Sequence, residues 1–184
     1  VPWEVKWGDD DHLWVTERRG IILRINPETG NTETVLDHRN VVLQQGSEYG
    51  MLGMELHPEF PSVPLLYVVY CYSEGGTKER LASFSWDGTA LSNETIIFND
   101  IPGAGIHDGS RLLITTDNKI LMTTGDRGNS QLSQNMNSLN GKILRMNLDG
   151  SLPDDNPIPG SYIYSYGHRN PQGLTYGPNG QIYS

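Results

Sequence analysis

The amino-acid sequence predicts an all-β chain built from the blades of a β-propeller. Three observations carry this. No segment sustains an apolar stripe at the helical period of 3.6 residues. Short β-rich runs recur instead, separated by turns that contain Gly, Pro, Asn or Asp. A strand–turn–strand unit also returns roughly every 50 to 60 residues, which with four strands per unit is the pattern of propeller blades.

The first unit opens with EVKW and crosses the polar tip Asp9-Asp10-Asp11 into a strand at 13–17. Strands at 21–25 and 32–36 follow, joined across Pro27-Glu28-Thr29-Gly30, where Pro and Gly supply the backbone angles a turn needs. The second unit opens with GMEL, passes His57-Pro58, and continues in strands at 65–72, 81–86 and 95–98. Asp87-Gly88 marks a tight turn between the last two. The third unit has strands at 111–115, 120–124, 142–147 and 162–166, with a turn at Asp149-Gly150. A fourth begins at 174–176 and turns at Pro178-Asn179-Gly180. The chain therefore supplies about three blades and the start of a fourth. It starts at Val1 without an apolar leader core and stops at Ser184 inside a strand pair. Residues 1–184 are thus expected to be the N-terminal half of a single propeller domain.

Composition narrows the function. Hydrophobic residues make up 36% of the chain and charged residues 19%, enough apolar material for a core. A formal charge of −9 argues against a nucleic-acid partner, which would call for a basic face. One cysteine excludes an internal disulfide framework and a Cys-rich zinc site. No apolar run is long enough to span a membrane.

In an up-and-down blade the loop entering strand one and the loop joining strands two and three share a rim. Glu48 and His107 each lie ten residues before the equivalent turn residues Pro58 and Asp117, and Arg169 lies nine before Pro178. Asp126, Arg127 and Gln131 follow the second strand of their unit. The repeat thus gathers an acid, an imidazole, a guanidinium, a carboxylate and an amide near the mouth of the central channel, where a site is expected. His107, in GAGIHDGSR, has small neighbours and could accept a hydroxyl proton near neutral pH. Asp126, in TTGDRGNSQL, could orient that imidazole or simply cap a turn. Arg169, in YGHRNPQGL, could fork onto an anion or bond loop carbonyls, and His168 beside it reads as structural or supporting.

Other marked residues carry less. The run from Asp149 to Asn156 has Gly160 where a calcium-binding loop of the helix–loop–helix type needs Glu, so it reads as a solvated turn. Asn93-Glu94-Thr95 fits a glycosylation sequon. His38 and His57 have no partner pattern, and Cys71, in LLYVVYCY, reads as buried filler.

Together the segments LWVTERRGIILRINPETG, YGMLGMELHPEF, HDGSRLLITTDNKILMTTGDRGNSQL, GKILRMNLDGSLPDDNPIPG and IYSYGHRNPQGLTYGPNGQIYS carry a resemblance. The chain resembles the soluble pyrroloquinoline quinone (PQQ)-dependent glucose and aldose sugar dehydrogenases, the glucose/sorbosone dehydrogenase family. The resemblance implies a six-bladed propeller with PQQ in its central mouth. It implies that His107 is the general base, taking the proton of the sugar C1 hydroxyl while hydride passes to PQQ C5. Asp126 then orients the base, and Gln131, Arg169 and Asn170 contact the cofactor, with Arg169 stabilising charge on the quinone oxygens. Glu48 stands near the cofactor where well-known members carry glutamine. An added carboxylate there would repel a tricarboxylate unless protonated or paired with a cation. The calcium that accompanies PQQ would draw its ligands from beyond Ser184, and no residue of this chain is assigned to a metal. The implied partners are an aldose substrate and an external electron acceptor, with a periplasmic or secreted location and a homodimer as one arrangement. The alternative is a non-catalytic propeller that binds a protein or glycan through the same face. A metal-dependent lactonase ranks below both.

Overall fold

The computed structural model describes residues 1–43 and 48–184. In chain order the strands are β1 (Pro2–Gly8), β2 (His12–Glu17), β3 (Ile21–Ile25), β4 (Thr32–Asp37), β5 (Met51–Leu56), β6 (Leu65–Ser73) and β7 (Thr77–Trp86). Next come β8 (Leu91–Pro102), β9 (Leu112–Ile114), β10 (Lys119–Thr123), the one-turn helix α1 (Ser130–Gln134) and β11 (Lys142–Asn147). β12 (Ile163–Tyr166), β13 (Thr175–Tyr176) and β14 (Ile182–Tyr183) complete the series. Among the described residues they form three antiparallel sheets of four strands, β1–β4, β5–β8 and β9–β12, and a hairpin, β13–β14. Each sheet is a meander in chain order, so three blades and the opening of a fourth are present.

Strand β6 shows why the sheets stack face to face. Its side chains alternate between two cores, as the two-residue period of a strand requires. Leu66, Val68, Tyr70 and Tyr72 enter the core shared with Trp14, Ile22 and Val35 of the first blade. Tyr67 and Val69 enter the core shared with Leu112, Ile120, Met122 and Leu144 of the third. Leu121 and Ile143 turn the other way, toward Leu174 and Ile182 at the fourth. Cys71 is fully buried, as filler should be. The face of the first sheet turned away from the second blade carries Val5 and Trp7, which are 54% and 57% exposed.

The innermost strands converge. β5 packs against β1 on one side and β9 on the other. The Arg111 guanidinium, just before β9, bonds Glu4 of β1 and lies 4.3 Å from the centroid of the Trp3 ring. Blades one and three therefore meet across the axis, and the rim loops above them must crowd together.

Two elements differ from the sequence reading. β8 is far longer than 95–98, because the outermost strand alternates weakly and pairs with β7 through three register shifts. α1 is too short to show a helical period, and Asn129 caps it by accepting the Gln131 N–H. The two-sided burial predicts paired costs. Leu66→Ala and Leu81→Ala, on opposite faces of one sheet, should each lower unfolding free energy by about 2–5 kcal/mol in urea titrations. Ile96→Ser, on the exposed outer strand, should stay within about 0.5 kcal/mol.

Candidate active site

Loops from three blades meet on one rim. Glu48 precedes β5, His107 precedes β9, Asp126 follows β10, and Arg169 and Asn170 precede β13. The His107 loop folds back sharply: His107, Gly109 and Ser110 all have left-handed backbone angles, φ 59°, 62° and 70°. Gly125 allows this, because a Cβ there would strike the His107 carbonyl.

His107 Nδ1 lies 2.7 Å from Asp126 Oδ1, which also accepts the Gly128 N–H at 2.8 Å. An ionised carboxylate only accepts, so the imidazole carries its proton on Nδ1 and leaves Nε2 as a proton acceptor. Asp126 thus both orients the imidazole and caps a turn. The two side chains are nearly enclosed. Glu48 Oε2 accepts the His107 N–H at 2.7 Å and an Asn170 Nδ2–H at 3.1 Å. Asn170 Oδ1 in turn accepts the Gly109 N–H at 3.0 Å. Glu48 and Asn170 therefore lash three strand-entry loops together, and the Asp126 N–H joins them by donating to the Arg169 carbonyl at 2.8 Å.

A cavity of about 310 Å³ opens here, lined by His107, Asp126, Arg169, Ser130 and Ser133 among others. The Arg169 guanidinium is exposed, and no described residue bonds it. His107, Asp126 and Arg169 thus face one hollow, with Glu48 and Asn170 tied to the same loops. Gln131 lies on α1 with its side chain in solvent, outside the cavity lining.

Sequence reasoning missed the supports beneath the rim. Lys142 is fully buried, and its Nζ donates to the carbonyls of Leu132, Ser133 and Asn140 at 2.8, 3.0 and 2.7 Å. Burial lowers its pKa. It anchors α1, and with it Ser130 and Ser133, although GKILRMN reads as an ordinary strand. His168 bonds Ser165 and is held below its usual pKa by burial and by Lys142. In the 149–156 loop, Asp155 pairs with Arg145, and Asn156 bonds the carbonyls of Arg145 and Ser161. That half of the loop is a bonded corner rather than a solvated turn. Among the described residues no group of three or more His, Cys, Asp or Glu could hold a metal ion.

The chain as a whole is similar to known proteins. The profile of the family described as Glucose / Sorbosone dehydrogenase matches residues 1–184. Quinoprotein glucose dehydrogenase B of Acinetobacter calcoaceticus is 34% identical over 98% of this chain and 45% of its own. The PQQ-bound aldose sugar dehydrogenase of Streptomyces coelicolor superposes with a TM-score of 0.89 at 33% identity, over 98% of this chain and 55% of that one. The apo form of the soluble aldose sugar dehydrogenase of Escherichia coli gives 0.85 at 26% identity, over 98% and 55%. The chain spans about half the length of these relatives.

Asp108 is buried next to His107 in the chain, and its Oδ1 accepts the Ala104 N–H at 2.9 Å. Burial, reinforced by Glu48, pushes its pKa up to about 6. The folded chain therefore holds this proton to higher pH than the unfolded chain, and stability falls as pH rises from about 4 to about 6. Asp108→Asn keeps the acceptor and removes the charge. Its melting temperature relative to wild type should climb through that window and level off above about pH 7, with a gain of about 3 kcal/mol at most. A flat difference across pH would show that Asp108 does not titrate there.

Proposed function

The chain belongs to the glucose/sorbosone dehydrogenase family, and on that premise we propose that its rim is part of the active site of a PQQ-dependent aldose dehydrogenase. The observation that carries the reading is the enclosed His107–Asp126 pair facing a cavity that also holds an unpartnered guanidinium. A tricarboxylate quinone suits that donor set. Arg169 can fork onto a carboxylate or the quinone oxygens, with Asn170 beside it and Gln131 within the same loop cluster. PQQ, when bound, supplies the hydride acceptor.

The rest is work for side chains of this chain. His107 Nε2 accepts the proton of the sugar C1 hydroxyl, the step that allows C1 to lose hydride and become the lactone carbonyl. Asp126 keeps Nδ1–H pointed at itself, fixes the tautomer, and stabilises the imidazolium that forms. Glu48 and Asn170 hold the His107 loop in place. Glu48 also brings negative charge near an anionic cofactor, so the reading includes calcium beside PQQ, with no ligand assigned among residues 1–184. Electrons then leave for an external acceptor. The family resemblance points to the periplasm or the exterior of the cell, and among the described residues no helix is long and apolar enough to cross a membrane.

Dye reduction by a panel of aldoses, with PQQ and calcium added to the protein, tests this. His107→Ala should lower kcat by about 10²-fold or more. Asp126→Asn should lower kcat by about 10²-fold or more with little change in KM, since it acts on the tautomer and not on sugar binding. An absorbance titration should show saturable PQQ binding. No saturable binding together with no dye reduction would reject the reading in favour of a non-catalytic propeller that recognises a partner through this rim.

A further inference from the structure

Behind the His107 turn lies an acid that the proposed chemistry does not use. Glu79 sits near the start of β7, fully buried, opposite Cys71 of β6. Among the described residues its carboxyl has one hydrogen-bond partner, the Ser110 hydroxyl, 3.1 Å from Oε2. The same hydroxyl lies 3.0 Å from the Asp108 carbonyl oxygen. A hydroxyl has one hydrogen, and a carbonyl can only accept it. Unless that one hydrogen is shared between two acceptors, both contacts are full hydrogen bonds only when the carboxyl donates to Ser110 in return, which requires a proton on Glu79.

The surroundings agree. Glu79 Oε1 and Asp108 Oδ2 are both buried with no partner among the described residues. A Cβ on Gly103 would lie 3.5 Å from Glu79 Cγ and 3.4 Å from Asp108 Oδ1, so the two acids flank the same glycine. Two charged carboxylates in so dry a place would be costly, and one proton removes most of that cost. The ionisable groups that act on the pair are Arg127 from the loop after β10, Cys71 from β6, and Glu48 and His107 from the rim. Burial and the Asp108 charge hold the Glu79 carboxyl well above the usual range, against the Arg127 charge. Asp108 gives up its proton near pH 6, and Glu79 keeps its own.

We propose that Glu79 is a positioning residue for His107: a neutral carboxyl that donates to the Ser110 hydroxyl and so locks the left-handed turn presenting the imidazole to the cavity. The inference rests on reading His107 as the base. Glutamine at this position can make the same donation, and alanine cannot.

Three variants of the full chain test it: Glu79→Gln, Glu79→Ala and Ser110→Ala. Glu79→Gln should keep kcat within about threefold of wild type, whereas Glu79→Ala and Ser110→Ala should lose about tenfold or more with KM and PQQ affinity little changed. Melting of the cofactor-free protein gives a second readout. The wild-type melting temperature should fall as pH rises above the ordinary carboxylate range, because the folded chain retains a proton that the unfolded chain releases, and Glu79→Gln should reduce that slope. A Glu79→Gln variant with the wild-type slope, or one as slow as Glu79→Ala, would overturn the proposal. So would wild-type kcat in Ser110→Ala, which also serves if Glu79→Ala does not fold. A wild type inactive on every aldose counts against the functional reading alone, and the pH slope of the melts then decides the state of Glu79.

Discussion

The second and third sheets bury apolar side chains on both faces, and a four-stranded sheet in water cannot do this alone. Val68 and Val69 are adjacent in sequence, face opposite ways, and are both fully enclosed. Each face therefore needs a neighbouring sheet. Stacking twisted sheets in this way brings the first strand of every blade to a common axis. The bond from Arg111 to Glu4 records that convergence, since it ties the first blade to the third over a sequence separation of 107 residues.

The site follows from the same geometry. Loops that enter first strands have little room, so they bond one another. Glu48, His107, Gly109 and Asn170 come from three such loops and form one continuous set of hydrogen bonds. The crowding also accounts for the backbone of the His107 turn. Left-handed angles at His107 and Ser110 are costly for residues with a side chain. They persist where close approaches leave no alternative, as where Gly125 meets the His107 carbonyl and Gly53 meets that of Ser110. The imidazole is thereby aimed by backbone held from several directions, the fixed placement that the proposed proton transfer would need.

Much of this was legible in the sequence, for identifiable reasons. Strands β2, β6, β10 and β11 announce themselves because buried strands need β-branched and aromatic residues between turn signals. The rim placement of His107, Asp126 and Arg169 follows from the repeat, since equivalent loops fall on equivalent faces. What could not be read lies in relations that a linear pattern does not encode. Lys142 begins an apolar strand and resembles any solvent-facing lysine, yet its ammonium closes three carbonyls of the α1 loop. Glu79 sits in TKERLASF among surface-type charges, and only the packing of the second blade against the third encloses it. β8 showed four of its twelve residues, because an outer strand wets one face and loses the alternation that signals a strand.

Charge decides which guanidinium is available to a ligand. The chain carries a formal −9, and arginines near the axis are already engaged. Arg111 bonds Glu4 and the Gln172 carbonyl, and Arg127 bonds the Gly103 carbonyl. Arg169 alone among these three has its fork free toward the cavity. Its main chain is nevertheless held, through the Asp126 N–H on its carbonyl. The free fork thus stands on a fixed base, which lowers the ordering cost of binding an anion there. The opposing charge of Glu48 is partly balanced by the two N–H donors on Oε2. An anionic cofactor in this mouth would meet the Arg169 guanidinium and a carboxylate already committed to the loops. Its affinity would then depend on whatever further positive charge reaches the cavity.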